Sequence, residues 1–227
     1  MLLKSVVEKM GKLLVTADAS MAAWCGNQGM AVAVIDVIDM STTLEGVLEA
    51  GAVGIFGASP ANFQAPVKLN PFNIGKKAGN LANKLNTGIV IITEPRVGAD
   101  EERQRRIEPV VLGIEEVKGK IIKVLPNLGK ETVKLADFSG KVVVAVTDSG
   151  GVCFDAAVSA GAPEVFTITV ARTIKSNTKE VLEKGLLRIK KAIDRYGQVA
   201  IVAASGRSIE DVEGAFYFYR LALERYR

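Results

Sequence analysis

Residues 29–52 read GMAVAVIDVIDMSTTLEGVLEAGA, and this stretch decides the fold class. A continuous run of β-branched and small apolar residues, Ala31–Val37, leads into a polar loop and then into a helical pattern that ends at Gly51-Ala52. Because the run does not alternate polar and apolar residues, it predicts a strand that is buried on both faces. Glycine just beyond a helix is the expected C-terminal cap, so the stretch predicts one βαβ unit.

Two later stretches repeat this plan. Residues 140–162 read GKVVVAVTDSGGVCFDAAVSAGA, and residues 197–223 read GQVAIVAASGRSIEDVEGAFYFYRLAL. Repetition of strand, polar loop and helix predicts an α/β fold, with a mostly parallel sheet that is flanked by helices and built from repeated βαβ units. The further predicted strands are Val142–Val146, Val199–Ala204, Val53–Phe56, Val165–Val170 and Gly88–Thr93, and the further predicted helices are Ile74–Leu85 and Asn177–Tyr196.

The middle of the chain does not follow the strand, polar loop and helix pattern. Residues 97–139 contain the charge run EERQRRIEP followed by short apolar pieces, which we interpret as a small β-rich insertion or a lid beside the sheet. We therefore expect residues 1–227 to form a single domain, with two similar halves at about 1–96 and 140–227 separated by this insertion.

Composition narrows the chemistry. The chain has 227 residues and no histidine, which excludes serine–histidine and cysteine–histidine catalysis and imidazole metal sites. The two cysteines, Cys25 and Cys153, are not in a CxxC pair, and we expect free buried thiols. Any reaction must use carboxylates, hydroxyls, lysine, arginine, backbone amides or a bound metal.

Charge and hydropathy bear on partners and compartment. The net charge of +4 is small and unclustered, so we expect no nucleic-acid partner. No run approaches the ~18 apolar residues that a membrane-spanning helix needs, and the first 14 residues contain four charged side chains, unlike a secretory signal. We therefore expect a cytoplasmic protein with no membrane association.

Acidic residues follow three of the predicted strands. Ligands bind beyond the carboxyl ends of strands in open parallel sheets, so the three strand-to-helix loops should converge. Convergence would bring together Asp36, Asp148 and Asp211, with Glu210 beside the last, and such clustered carboxylates are costly unless they share a cation. Hard oxygen ligands without histidine favour magnesium. The plainer interpretation is that Thr42 and Ser208 only cap helices.

The same loops carry groups that suit a phosphate. Helix N-terminal amides and hydroxyl groups bind anions, and a magnesium ion commonly shares a substrate phosphate. Phosphoryl transfer is the chemistry that this combination indicates, with Asp36 as the best placed catalytic acid. Asp36 could bind the metal, activate water or attack phosphorus, and the sequence leaves these open. The candidate substrate-binding residues of these loops are Ser41, Thr42, Thr43, Ser149, Gly150, Gly151 and Arg207.

The order of these motifs resembles the 2-phosphosulfolactate phosphatase family. Residues 34–43, VIDVIDMSTT, resemble the family's VIDVLRATTT, and Thr93-Glu94-Pro95-Arg96 resembles its Gly-Glu-Arg. Residues 127–132, NLGKET, resemble its DLGNSP, residues 147–151, TDSGG, resemble its TTNGT, and Ile209-Glu210-Asp211 resembles its LED. The resemblance extends from about Gly29 to the end of the chain.

This resemblance implies a magnesium-dependent phosphatase of coenzyme M biosynthesis acting on a small anionic phosphorylated substrate. It implies that Arg96 contacts the substrate and that the metal ligands are Asp36, Glu94, Asp148, Glu210 and Asp211. The chain departs from the family's pattern at Asp39, where the family has arginine, and at Ser149 and Gly151. The alternative is a homologue that keeps the fold but binds a small ligand without catalysis. Aromatic residues 216–219 and Tyr226 favour a homo-oligomer formed through the last helix.

Overall fold

The computed structural model describes residues 12–226, which form eight strands, seven α-helices and one 3₁₀-helix, Gly129–Lys134. The strands are β1 Lys12–Ala17, β2 Ala31–Ile35, β3 Gly54–Ala58, β4 Ile89–Thr93, β5 Ile121–Pro126, β6 Val142–Val146, β7 Val165–Thr167 and β8 Gln198–Ala203. The helices are α1 Asp18–Asn27, α2 Met40–Glu49, α3 Pro71–Lys84, α4 Asp100–Glu116, α5 Gly150–Ser159, α6 Thr178–Tyr196 and α7 Ile209–Tyr226.

The strands form two separate sheets in which every pairing is parallel. Sheet 1 has the order β1-β8-β2-β7, and sheet 2 has the order β3-β6-β4-β5. The central strands β2, β4 and β6 are buried at every residue, as the unalternating apolar runs predict. The α/β class and the flanking helices are therefore confirmed.

A layer of helices lies between the two sheets. Side chains of α1, α2 and α5 pack in one core with Val34 and Val202 of sheet 1 and with Val90 and Val143 of sheet 2. Helices α6 and α7 cover the other face of sheet 1, and α3 and α4 cover the other face of sheet 2. The first turns of α2 and α5 thus meet between the sheets, where β2 and β6 end.

The sheets exchange strands between two similar halves of the chain. The halves are β1–β4 and β5–β8. If each strand of sheet 1 is replaced by its counterpart in the other half (β1 by β5, β8 by β4, β2 by β6 and β7 by β3), the result is the strand order of sheet 2 read from its opposite edge. Each sheet therefore takes two strands from each half. Because β2 lies in sheet 1 and β3 in sheet 2, the prediction of a βαβ unit within one sheet is wrong for β2-α2-β3 and likewise for β6-α5-β7.

The middle segment is mostly helical. Ile107, Val110 and Ile114 are spaced as one face of a helix and are fully buried in α4, even though Pro109 lies inside that helix. Only β5 is a strand, at the edge of sheet 2 beside β4, and the last of the short apolar pieces, residues 133–138, forms the end of the 3₁₀-helix and a loop. The β-rich prediction for this segment is therefore wrong, because short apolar pieces of a helix were interpreted as strands.

Several local predictions are confirmed. Asn177 and Glu180 form the capping box of α6, and the helix ends at Gly197, which has a φ of 74°. Cys25 and Cys153 are free and buried. Within residues 12–226, no helix is both long enough and apolar enough to cross a membrane.

Candidate functional site

Asp36 lies at the carboxyl end of β2 and is only 2% exposed. Its Oδ2 atom accepts hydrogen bonds from the Ser149 hydroxyl (2.7 Å) and the Gly150 amide (2.6 Å), and its Oδ1 accepts one from the Asp39 amide (3.0 Å). Burial raises the pKa of Asp36 above its ordinary value, although these donors oppose the shift. The carboxylate thus joins the end of sheet 1 to the first turn of α5.

Two glycines permit this close approach. A Cβ atom on Gly150 would lie 2.4 Å from Oδ2 of Asp36, and one on Gly151 would lie 2.2 Å from the carbonyl oxygen of Ala58. Both distances are far inside van der Waals contact. The pair Gly150-Gly151 is therefore required by the packing of α5 against the strand ends, and no side chain could replace either hydrogen without movement.

The third predicted loop also reaches Asp36's strand. Oδ1 of Asp211, near the start of α7, accepts a hydrogen bond from the Val37 amide at 2.8 Å. Ser208 Oγ accepts a hydrogen bond from the Asp211 amide, so Ser208 caps the helix as the plainer interpretation holds. Burial and the nearby Asp36 carboxylate raise the pKa of Asp211 to about 6, and Glu210 adds to the shift.

Two arginines neutralise acids beside Asp36. Arg96 lies 2.7 Å from Oδ1 of Asp39 and also donates to the carbonyl oxygen of Ile38. Arg106 on α4 lies 2.6 Å from Asp148 and 3.6 Å from Glu94.

The carboxyl group of Glu94 is partly buried among other acidic side chains. Burial, followed by the charges of Asp39 and Asp148, raises the pKa of Glu94 to about 7, and Arg106 only partly opposes the shift. Glu94 therefore changes its protonation state near neutral pH, where a residue that transfers protons is most effective.

The hydroxyl groups of the first loop are held within the protein. Ser41 Oγ donates to the carbonyl oxygen of Val34, and Thr43 Oγ1 donates to Asn127 Oδ1 at 2.6 Å. Thr42 Oγ1 bonds to the Val37 carbonyl oxygen and is 3.0 Å from the Thr169 hydroxyl. All three residues are buried. The hydrogen bonds of these hydroxyl groups support the first loop. Their contacts with a substrate stay a prediction.

A cleft of ≈ 560 Å³ opens beside the second and third loops. Ser149 lines it together with exposed Arg207, and no carboxylate in residues 12–226 lies within ion-pair distance of Arg207. Asp148 also lines the cleft. Because Arg106 pairs with both Asp148 and Glu94, Asp148 connects the cleft to these two residues. The structure therefore brings Ser149, Asp148 and Arg207 to one opening, with Asp36 directly behind Ser149.

The predicted metal ligands do not form one preformed cluster. Over residues 12–226, no group of three or more His, Cys, Asp or Glu side chains is arranged to hold a metal ion. The donor set still suits magnesium bound through one or two carboxylates: Asp36 Oδ1 accepts one hydrogen bond and keeps a lone pair, and Glu94 is surrounded by like charges that a cation would relieve. Asp211 is held by the Val37 amide, one residue after Asp36.

Sequence reasoning missed Arg106. It lies in the run EERQRRIEP, which was assigned to a small β-rich insertion or lid without a role at the site, yet its side chain is only 23% exposed and its Nε atom has no hydrogen-bond partner. A helical interpretation of the run would have placed Arg106 next to buried Ile107 and one turn after Arg103, which donates to the Pro95 carbonyl oxygen. The loop after β4 is therefore held by two arginines of α4.

Comparisons with known proteins do not supply an identity. No protein-family model and no curated protein matches this chain. The resemblance to the 2-phosphosulfolactate phosphatases, and every residue role that it implies, accordingly stays a prediction.

Proposed function

We propose that this protein is a magnesium-dependent phosphatase that hydrolyses a small phosphate monoester, the type of reaction that the resemblance to the 2-phosphosulfolactate phosphatases of coenzyme M biosynthesis implies. The proposal rests on the position and hydrogen bonds of Asp36. This buried carboxylate ends a central strand and holds Ser149, which lines an open cleft with Arg207. A hydroxyl group and a guanidinium are groups that bind a phosphate dianion.

Each residue has a distinct role in this proposal. Arg207 binds the phosphate group, and Ser149 joins it by turning its hydroxyl proton from Asp36 to a phosphate oxygen. Glu94, which is ionised above its pKa of about 7, supplies a carboxylate that can bind magnesium. Arg106 holds Asp148 and Glu94 in place.

Magnesium would be held by Asp36 and Glu94, with Asp148, Glu210 and Asp211 as the further predicted ligands. When bound, the ion would supply positive charge to the phosphoryl oxygens as the ester bond breaks. The high carboxylate density around Glu94 supports this assignment, because the charges of Asp36, Asp39 and Asp148 all raise its pKa.

A second copy of the chain is the partner that the last helix suits. Phe216 is 54% exposed and Tyr217 is 38% exposed on α7, and Ile209 at its start is 74% exposed. Exposed aromatic residues are enriched at protein interfaces. Sedimentation of the wild type as a monomer would exclude this homo-oligomer, and Phe216→Ser should dissociate it if it forms.

Phosphate release tests the function directly. Purified protein is incubated with magnesium and a panel of phosphate monoesters that includes 2-phosphosulfolactate, and inorganic phosphate is measured. We expect release that chelation of magnesium abolishes and that Asp36→Asn lowers by at least about 100-fold. Glu108→Gln, at an exposed position on α4, is the matched control. Release that is the same in Asp36→Asn as in the wild type would exclude the enzymatic function and favour the alternative, a protein that binds a small ligand without catalysis.

A further inference from the structure

A single buried carboxylate holds both ends of the loop between β3 and α3. Asp155 of α5 is fully buried, and its Oδ2 accepts hydrogen bonds from the Ser59 hydroxyl (2.6 Å) and the Ser59 amide (3.3 Å). Its Oδ1 accepts one from the Asn70 amide at 2.8 Å. Since Ser59 follows β3 and Asn70 precedes α3, the loop is closed at its base by one side chain.

The position of α5 makes this contact possible. The missing side chain of Gly151 lets α5 approach the end of β3, where a Cβ atom would lie 2.2 Å from the Ala58 carbonyl oxygen. Asp155 is one helical turn further along α5, so its carboxylate reaches the residue that follows Ala58. The same helix therefore binds Asp36 at its first turn and the loop at its second.

The loop supplies one side of the cleft beside Ser149. Residues 63–66, Phe-Gln-Ala-Pro, line the cleft together with Ser149 and Arg207. We call residues 59–70 the wall segment. Phe63, Ala65 and Pro66 are apolar, and they face a cleft that also includes Ala19, Val152 and Ala204. The cleft thus combines polar side chains, among them Gln64, Ser149 and Arg207, with a larger apolar surface.

The charges of the cleft disfavour a second anion on the ligand. Arg207 is its cation, while Asp18 and Asp148 are its carboxylates, and Asp148 is already paired with Arg106. Asp18 Oδ1 accepts a hydrogen bond from the Gly206 amide, which fixes this carboxylate against the backbone of the loop that carries Arg207. A ligand with one phosphate would pair with Arg207, but a further carboxylate or sulfonate would meet Asp18.

Resting on the phosphatase function proposed above, we propose that the wall segment receives the organic part of the substrate and selects phosphate monoesters in which that part is apolar and uncharged. Asp155 is the positioning residue that holds the wall segment against the cleft. The selection follows from the apolar side chains of the wall segment, which gain by excluding water from an apolar group, and from the Asp18 carboxylate, which repels a second anion.

The experiment measures kcat and KM for phenyl phosphate, methyl phosphate and phosphoglycolate with the wild type and three variants. Asp155→Asn places an amide donor against the Ser59 and Asn70 donors, and Phe63→Ala removes the largest side chain of the wall. Ser159→Ala is the matched control, since Ser159 also donates to Asp155 Oδ1 but lies outside the wall segment. Hydrogen exchange of the amides of residues 59–70 is followed in parallel, with and without phenylphosphonate, which cannot be hydrolysed.

We expect the wild type to prefer phenyl phosphate over phosphoglycolate by about tenfold or more in kcat/KM. Asp155→Asn and Phe63→Ala should raise KM for phenyl phosphate about tenfold with kcat within about twofold, and should leave KM for methyl phosphate nearly unchanged. Asp155→Asn, but not Ser159→Ala, should speed exchange of the wall amides, and phenylphosphonate should slow it in the wild type. Equal KM changes for all three esters would overturn the proposal, as would a preference for phosphoglycolate.

The two proposals fail in different ways. If the wild type releases no phosphate from any ester, the phosphatase function fails, and the wall segment is judged by phenylphosphonate alone. Slower exchange of the wall amides with phenylphosphonate then supports the wall as a binding surface. No such protection in the wild type overturns the proposal, whatever the catalytic result.

Discussion

Arg96 Nη2 lies 2.7 Å from Oδ1 of Asp39, so the acid that departs from the 2-phosphosulfolactate phosphatase pattern is paired with an arginine that the pattern assigns to substrate. A guanidinium that is bound to a carboxylate within the protein has less positive charge to offer a phosphate. The cation that the cleft retains is Arg207 on the third loop. Asp39 is thus neutralised within the protein, and the proposed phosphate site lies on the Ser149 side, where Arg207 lines the cleft.

Release of Arg96 should strengthen phosphate binding. In Asp39→Asn we expect KM for phosphate monoesters to fall about tenfold, because a freed guanidinium can hydrogen-bond to the anion. Asp100→Asn is the control, since it removes an exposed partner of Arg103 at the same distance, 2.7 Å, without reaching Asp36's loop. An unchanged KM in Asp39→Asn would show that Arg96 does not reach the substrate.

Protonation of Glu94 should make stability depend on pH. A glutamate in the unfolded chain titrates near pH 4.5 and Glu94 in the folded protein near pH 7, so the folded state binds more protons between these values. The free energy of unfolding in EDTA should therefore fall as pH rises from about 4.5 to about 7. Glu94→Gln should remove this loss and be more stable at pH 8 by up to ~3 kcal/mol. Urea titrations at several pH values measure it, with Glu108→Gln as control; parallel curves for wild type and Glu94→Gln would contradict it.

Magnesium should stabilise the folded protein more at high pH than at low pH. The ion binds ionised carboxylates, and protonation of Glu94 and Asp211 competes with it below their pKa values of about 7 and about 6. We expect magnesium to raise Tm at pH 8 and to have little effect at pH 5. Asp36→Asn should abolish the rise at pH 8, and an equal rise at both pH values would indicate binding elsewhere.

Glycine at position 150 should be irreplaceable. In Gly150→Ala the new methyl group would meet Oδ2 of Asp36 and also Met40, so α5 must move away from the end of β2. We expect a loss of about 1–3 kcal/mol in the free energy of unfolding and a large loss of phosphatase activity. Gly214→Ala, in α7, is the control, because the new Cβ atom would make ordinary contacts with Ile35 and Val170 at 3.4 Å or more. Wild-type activity in Gly150→Ala would show that the contact between Asp36 and α5 is dispensable.

An ion pair buried between α2 and α6 should contribute strongly to stability. Arg188 donates to both carboxylate oxygens of Glu45, which is 2% exposed. Arg188→Met would leave that carboxylate without a cation, and we expect a loss of about 3–5 kcal/mol in the free energy of unfolding, measured in urea. Lys190→Met removes an exposed pair with Asp194 on the same helix and should change stability by less than about 0.5 kcal/mol. Equal effects of the two substitutions would contradict the prediction.

The elements themselves could be predicted because each carries its own burial pattern. The run at Val142–Val146 is uninterrupted and β-branched, and it is a strand over those same residues. The division of strands between two sheets could not be predicted, because β2 and β3 are both apolar and nothing in either run specifies its neighbour. The helix around Pro109 was missed because a proline usually ends a helix, whereas here Ile107 and Val110 are buried against α3 and sheet 2.

The same distinction holds at the site. Asp36 was predicted from its place at the end of a strand, which is a local property. The pairing of Arg96 with Asp39, and of Arg106 with Asp148, depends on residues more than 40 positions apart and on side-chain directions that only the folded chain defines. The wall contact of Asp155 belongs to the same class, since a buried aspartate within a helix has no sequence signature.

Exchange of strands between the halves determines when this site can form during synthesis. Strand β2, which ends at Asp36, is paired with β7 and β8, and those strands begin at Val165 and Gln198. A ribosome has therefore translated most of the chain before β2 gains either neighbour. The growing polypeptide must hold this fully buried strand unpaired until then, and a truncated product that stops before β7 lacks both strands that pair with β2. The site can therefore assemble only after β7 and β8 have been synthesised.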